Sequence, residues 1–141
     1  MSNSVLDDFK EDFALLIESG FIAVKQLDEI CSRRLFEAAA VLDPESSIPK
    51  IGLGWIALNK LEVKEATKIF LEIVKKEPEN ELAQTFLGIA YMLNKDKRQE
   101  GEQLIQDAME RTEDDTIKNL CSISLEWCDK DLKKLKSPFF E

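Results

Sequence analysis

Apolar residues recur at every third or fourth position along most of the chain, and short polar or proline-bearing breaks cut this pattern into helix-sized segments. From Val5, the residues Leu6, Phe9, Phe13, Leu16, Ile17 and Gly20 fall on one helical stripe, with Ser4 a candidate cap before it and residues 1–4 expected to fray. The segment GFIAVKQLD either continues this helix or breaks it at Gly20. Asp28 is placed to cap the next helix, which ends before Asp43-Pro44. Ser46 or Ser47 caps the following one, with Pro49 in its first turn, where a missing N–H does no harm. Asn59-Lys60 and Asn94-Lys95-Asp96 mark turns, and Pro78 stops the helix before it. Glu113-Asp114-Asp115 is a charged break and a helix start. Beyond Thr116, Leu120, Ile123, Trp127, Leu132 and Leu135 predict a last helix that covers the apolar face left by its predecessors. The tail Ser137-Pro138-Phe139-Phe140-Glu141 either tucks into a groove or stays disordered.

The segments repeat. Numbering Ser47 as position one of the stretch SIPKIGLGWIALNKLEVKEATKIFLEIVKKEPEN puts Leu53-Gly54, then Ala66 and Phe70, then Pro78 at the places where a tetratricopeptide repeat carries L-G, A-x3-F and P. The stretch resembles that repeat, with Lys50 and Ala57 standing where aromatics are usual. One 34-residue period later, Leu87-Gly88 and Tyr91 match, and after a one-residue loop insertion so do Gly101, Ile105 and Ala108. One period earlier, Gly20, Ala23, Phe36, Ala39 and Pro44 match, while Ser19 and Ser32 replace the usual leucine and alanine. The resemblance covers about residues 13–115. It implies an all-α fold: a right-handed superhelical array of about three helical hairpins with a C-terminal capping helix. The expected layout is a single domain over 1–141, with repeats at about 13–46, 47–80 and 81–115 and a capping helix at about 116–136. Gly54 and Ala66 are then the close-contact pair of the middle hairpin, and Phe70 fills the space towards the next one.

In such repeats the inner face of the array comes from fixed positions of each first helix. Those positions are Ala14, Ile17, Phe21, Val24 and Lys25, then Ile48, Ile51, Trp55, Leu58 and Asn59, then Leu82, Thr85, Ile89, Met92 and Leu93. All but Lys25, Asn59 and Thr85 are apolar, so the face suits an apolar partner rather than a charged peptide terminus. Three ways of covering it stay open: the chain's own end helices, a homodimer, or a hydrophobic segment of another protein.

Composition narrows the function classes. A net charge of −9 disfavours nucleic acid and anionic membrane surfaces, which need a basic face. No apolar run reaches the length of a membrane span, and MSNSVLDDFKED lacks the basic start and apolar core of a secretory signal, so a cytoplasmic location is expected. Cys31, Cys121 and Cys128 have no paired spacing, and the latter two share a helix face as core residues. There is no histidine, no glycine-rich phosphate loop and no cysteine with a base partner, and Asp7-Asp8 and Glu113-Asp114-Asp115 sit at helix starts. Neither an enzyme, a cofactor nor a metal is expected.

The stretch LDPESSIPKIGLGWIALNKLEVKEATKIF, with its paired glycines around Leu53, and EGEQLIQDAM, with Gly101 in place of alanine, are similar to the chaperones of bacterial type III secretion. The resemblance implies a cytoplasmic bacterial chaperone whose groove holds a secretion substrate, either a needle subunit, with a small helical co-chaperone, or a translocator. Carried over by position, the substrate-contacting residues are Ile17, Phe21, Ile51, Trp55, Leu58, Thr85, Ile89 and Met92. The alternative is a scaffold or adaptor subunit whose groove its own helices fill.

Overall fold

A computed structural model of the chain describes residues 3–132. The described chain is all-α: α1 (Asn3–Lys25), α2 (Glu29–Leu42), α3 (Ile48–Asn59), α4 (Val63–Lys76), α5 (Glu81–Met92), a 3-10 turn (Lys95–Lys97), α6 (Arg98–Arg111), α7 (Asp115–Trp127) and a π turn (Cys128–Leu132). Among the described residues there is no strand. The tail at 137–141 and the end of the expected capping helix, 133–136, lie outside the described residues.

The breaks fall where the polar punctuation puts them. Asp28 caps α2 by accepting from the Cys31 N–H, and Asp114 caps α7 by accepting from the N–H groups of Thr116 and Ile117. Asn80 performs the same service for α5 through the Ala83 N–H. Ser46 Oγ accepts from the Ile48 N–H, while Ser47 occupies the cap position of α3 without a capping bond from its side chain. Of the two alternatives at GFIAVKQLD the helix takes continuation: Gly20 does not break α1, which runs on to Lys25. One expectation changes, since Ser4 lies inside that helix instead of capping it.

Contacts gather the chain into two compact units, residues 1–65 and 66–141, with the boundary inside α4. In the first unit α1 and α2 form a hairpin and α3 packs against both. Phe36 of α2 is fully buried. Its ring occupies a slot between two glycines on different helices: a Cβ on Gly20 would lie 2.7 Å from the ring, and one on Gly52 2.4 Å. The glycines are therefore volume removed to admit a phenyl ring, which explains a Gly in each of two helix interiors despite a propensity cost of roughly 1 kcal/mol against Ala.

The same unit contains one turn built twice. After α1, the Leu27 N–H donates to Val24 O and the Asp28 N–H to Ala23 O; after α3, the Leu61 N–H donates to Leu58 O and the Glu62 N–H to Ala57 O. Leu27 and Leu61 have φ of 60° and 58°, the left-handed region. This paired-bond ending usually places glycine there, because a Cβ is crowded in that conformation. Every partner in the second turn is its counterpart in the first shifted by one 34-residue period.

In the second unit α5 and α6 form the tightest hairpin. Gly88 and Gly101 face each other there: a Cβ on Gly101 would lie 2.5 Å from the Gly88 carbonyl oxygen, so the backbones themselves are in contact. Phe70 of α4 stacks on Phe86 of α5, with ring centroids 5.3 Å apart and planes within 12°. Gly54 and Ala66 are each buried.

The last helix covers apolar surface, but with another face than its bulky residues suggest. Ile123 is 56% exposed and Trp127 37%, whereas Cys121, Ser124, Cys128 and Leu132 point inwards. Two thiols and a hydroxyl are short enough to let α7 settle on Met92, Ile105 and Ala108.

Gly101→Ala forces a methyl group against a carbonyl that cannot swing aside, and is expected to lower unfolding stability by about 1–3 kcal/mol in urea titration. Leu61→Gly relieves a left-handed leucine that is largely exposed, and the urea midpoint is expected to rise by an amount equivalent to about 0.5–1 kcal/mol, the strain relief less the added chain entropy.

Candidate functional site

The predicted inner-face residues divide by unit. In the first unit, Phe21 of α1 packs its edge on Phe36, centroid to centroid 5.0 Å, and lies 5.3 Å from the Trp55 ring of α3. Ile17, Phe21 and Trp55 are half-buried, and with Leu53 they pack against a buried floor of Val24, Phe36 and Ile56. Helical spacing explains the grouping. Ile17, Phe21 and Val24 are four and three residues apart and so share one face of α1, while α3 brings Trp55 alongside. Ile51 and Leu58 are buried instead, at 1% and 8% exposure, so they serve the core and offer a partner almost no surface.

Beside this wall a cavity of about 130 Å³ opens between the two repeated turns. Val24, Leu27, Ser32, Ile56, Asn59, Lys60 and Glu29 line it. Asn59 donates from its side-chain amide to the Trp55 carbonyl, closing the end of α3 beneath the aromatic. At the rim Lys60 Nζ lies 3.0 Å from Glu29 and 2.9 Å from Glu62. The hydrogen bond from Lys60 holds the Glu29 carboxyl below its ordinary range, and those to Glu62 and Glu29 hold the Lys60 ammonium above its own. The rim is exposed, so this ion-pair network orients side chains more than it stabilises the fold.

In the second unit the corresponding face is already covered. Thr85 and Met92 have no exposed surface. Thr85 Oγ1 donates to Glu81 O at 2.8 Å and lies 3.5 Å from Cys121 Sγ, while Met92 joins Ile105, Ala108, Cys121, Cys128 and Leu132 in one cluster. Ile89 and Leu93 pack against that cluster, half-buried. Contact with a partner through Thr85 or Met92 therefore does not fit this state of the chain, because α7 and the π turn lie over them. Arg98 fastens this arrangement, with Nε donating to Met92 O and a terminal guanidinium N–H to Leu132 O. The Cys128 thiol donates to Glu102 Oε1 at 3.1 Å, and burial pushes the Cys121 thiol up from its ordinary value.

The inner-face positions find Ile17, Phe21, Val24, Trp55 and Asn59. They miss Leu27, Glu29, Ser32, Ile56 and Lys60 in the cavity. Ser32 had a signal, since it stands where a repeat alanine is expected and is fully buried. Leu27 had none, because nothing about a leucine announces a left-handed turn.

Among the described residues no group of three or more His, Cys, Asp or Glu side chains could hold a metal ion, and no helix is long and apolar enough to cross a membrane. Compared with protein-family models, curated proteins and solved structures, the chain matches none.

The burial pattern sets the reactivity of the thiols. In the native protein an Ellman titration is expected to find one fast thiol, Cys31, with Cys121 and Cys128 reacting only on unfolding.

Proposed function

We propose that this chain is a tetratricopeptide-repeat binding module that holds an apolar segment of a protein partner, a chaperone of the type III secretion kind. The observation that carries this reading is the half-buried wall of Ile17, Phe21 and Trp55, two of its three residues aromatic, whose floor residues Val24 and Ile56 also line a cavity. Aromatic side chains that are ordered before binding lose little entropy on contact, and they dominate the energy of partner recognition. The turn built twice at a 34-residue interval, and the glycines fitted to close neighbours, support the repeat architecture. The net charge of −9 favours solubility in a protein that carries exposed apolar surface.

A partner helix that lays its apolar face on this wall would follow a common recognition mode. The needle subunit and the translocators are the candidate substrates, and a small helical co-chaperone is a candidate second partner. The scaffold alternative keeps one observation in its favour: the chain itself covers Thr85 and Met92. Under the chaperone reading that covering leaves recognition to the first unit, with Ile89 at most a marginal contact.

The test is co-expression with a needle subunit or translocator from the same genome. The pair is expected to co-purify, with Trp55 emission shifting to the blue. Trp55→Asp, with helical content retained, should weaken binding by at least about thirtyfold, in line with the roughly 2 kcal/mol or more lost at a central aromatic anchor. A complex of unchanged affinity would end the reading.

A further inference from the structure

The cavity between the two repeated turns is lined differently from the aromatic wall beside it. Val24, Leu27 and Ile56 give it an aliphatic surface, and Val24 and Ile56 are themselves buried. Its neutral polar lining turns its donors back into the chain: Ser32 Oγ donates to the Glu29 carbonyl at 3.0 Å, and the Asn59 amide donates to the Trp55 carbonyl. The space measures about 130 Å³. An apolar cavity of about 150 Å³ admits a benzene molecule, so this one has room for a single aliphatic side chain and none for an indole. At the rim, Lys60 bonds Oε1 of both Glu29 and Glu62, and Arg33 reaches the same Oε1 of Glu29 at 3.4 Å. The second oxygen of each carboxylate takes no part in these ion pairs, and both side chains reach solvent.

We propose that this cavity is an anchor subsite for the protein partner: it takes one leucine, isoleucine or methionine side chain, and a lysine or arginine beside that anchor bonds the rim carboxylates Glu29 and Glu62. The inference rests on the partner reading given above and adds to it a size limit and a charge. Position carries the first part. Val24 follows Phe21 by three residues, about 4.5 Å along α1, and Val24 and Ile56 underlie both the wall and the cavity. A partner helix with apolar side chains three or four residues apart sets one on the rings and the next in the cavity. Desolvation makes the subsite selective. A charged or amide side chain would lose its water there and find the Ser32 and Asn59 donors already committed. Charge carries the second part. Lys60 and Arg33 engage only the Oε1 atoms, so two carboxylate oxygens stay open to a cation from the partner, in a chain of net charge −9 that draws basic segments towards it.

Two measurements test this. The first uses the full chain without a partner, its Val, Leu and Ile methyl groups isotope-labelled and followed by NMR during titration with benzene. Benzene is expected to shift the Val24 and Ile56 methyls saturably and to leave Ile73, in the core of the second unit, unmoved. Indole at the same concentration should not displace it. Ser32→Val adds methyl volume inside the cavity and should weaken benzene binding about tenfold, with circular dichroism verifying its helices. The second measurement is affinity for the co-expressed needle subunit or translocator. Ser32→Val is expected to weaken it about tenfold and Glu62→Gln about threefold. No saturable shift with benzene, or equal binding of indole, would overturn the proposal. So would unchanged partner affinity in Ser32→Val and Glu62→Gln while Trp55→Asp still loses the partner, a result that leaves the wall reading in place. Unchanged affinity in all three variants would end both.

Discussion

Three helices can meet closely in the first unit only because two of them carry no side chain at the meeting point. Phe36 fills the gap left by Gly20 and Gly52, and it does so with no exposed surface. A buried phenyl ring contributes several kcal/mol through area removed from water and through close contact, and truncating one to alanine typically loses 3–5 kcal/mol. The ring also determines how α1 and α3 approach α2, and that approach sets Phe21 beside Trp55. The aromatic wall is therefore the outer layer of a stack whose inner layer is Phe36. Its geometry is inherited from a packing contact, not from any polar interaction at the surface.

The second unit solves the same problem with backbone in place of a ring. Gly88 and Gly101 bring α5 and α6 into main-chain contact, which draws Met92 and Ile105 inwards. The short side chains of Cys121, Ser124 and Cys128 then let α7 close over them. Polar groups trapped there find partners within the chain. Gln84 donates to the Leu104 carbonyl and accepts from Arg111, and Arg98 serves two carbonyls at once. Among the described residues no buried side-chain nitrogen or oxygen lacks a hydrogen bond. Such a face is finished, and opening it to a partner would expose these groups and the apolar cluster together.

Much of this was legible in the sequence, for physical reasons that differ by feature. Helix ends were readable because Asp28 and Asp114 act locally, through atoms two or three residues away. The glycines were readable because close helix approach admits little else, although the neighbour each one serves is a tertiary matter. The direction of α7 was readable only in part: Cys121 and Cys128 were expected on its core face and are buried, but the bulky residues Ile123 and Trp127 pointed to another face. Its bulky stripe is the more hydrophobic one, yet the space over Met92 and Ile105 accepts small residues, and the sequence of α7 alone carries no record of that space. The left-handed leucines were hidden for a related reason. The turn is imposed by the two hairpin bonds and the helices they join, and it overrides the preference of the residue at its tip.

The inner face of the sequence pattern is thus not one surface of uniform kind. Position counting assigns Phe21, Trp55, Thr85 and Met92 to one inner face, because each falls at one of the inner-facing registers of its helix. Packing separates them. Where the next element is α7, the face is consumed; where the half-buried rings of Phe21 and Trp55 lie, it keeps apolar area in contact with water. A hydrophobic surface is held open only if the alternative, collapse of a neighbouring element onto it, is prevented. Here α1, α2 and α3 pack together around Phe36, and the rings of Phe21 and Trp55 stay half-buried on the outside of that packing. The constraint that builds the first unit is also what leaves its wall available.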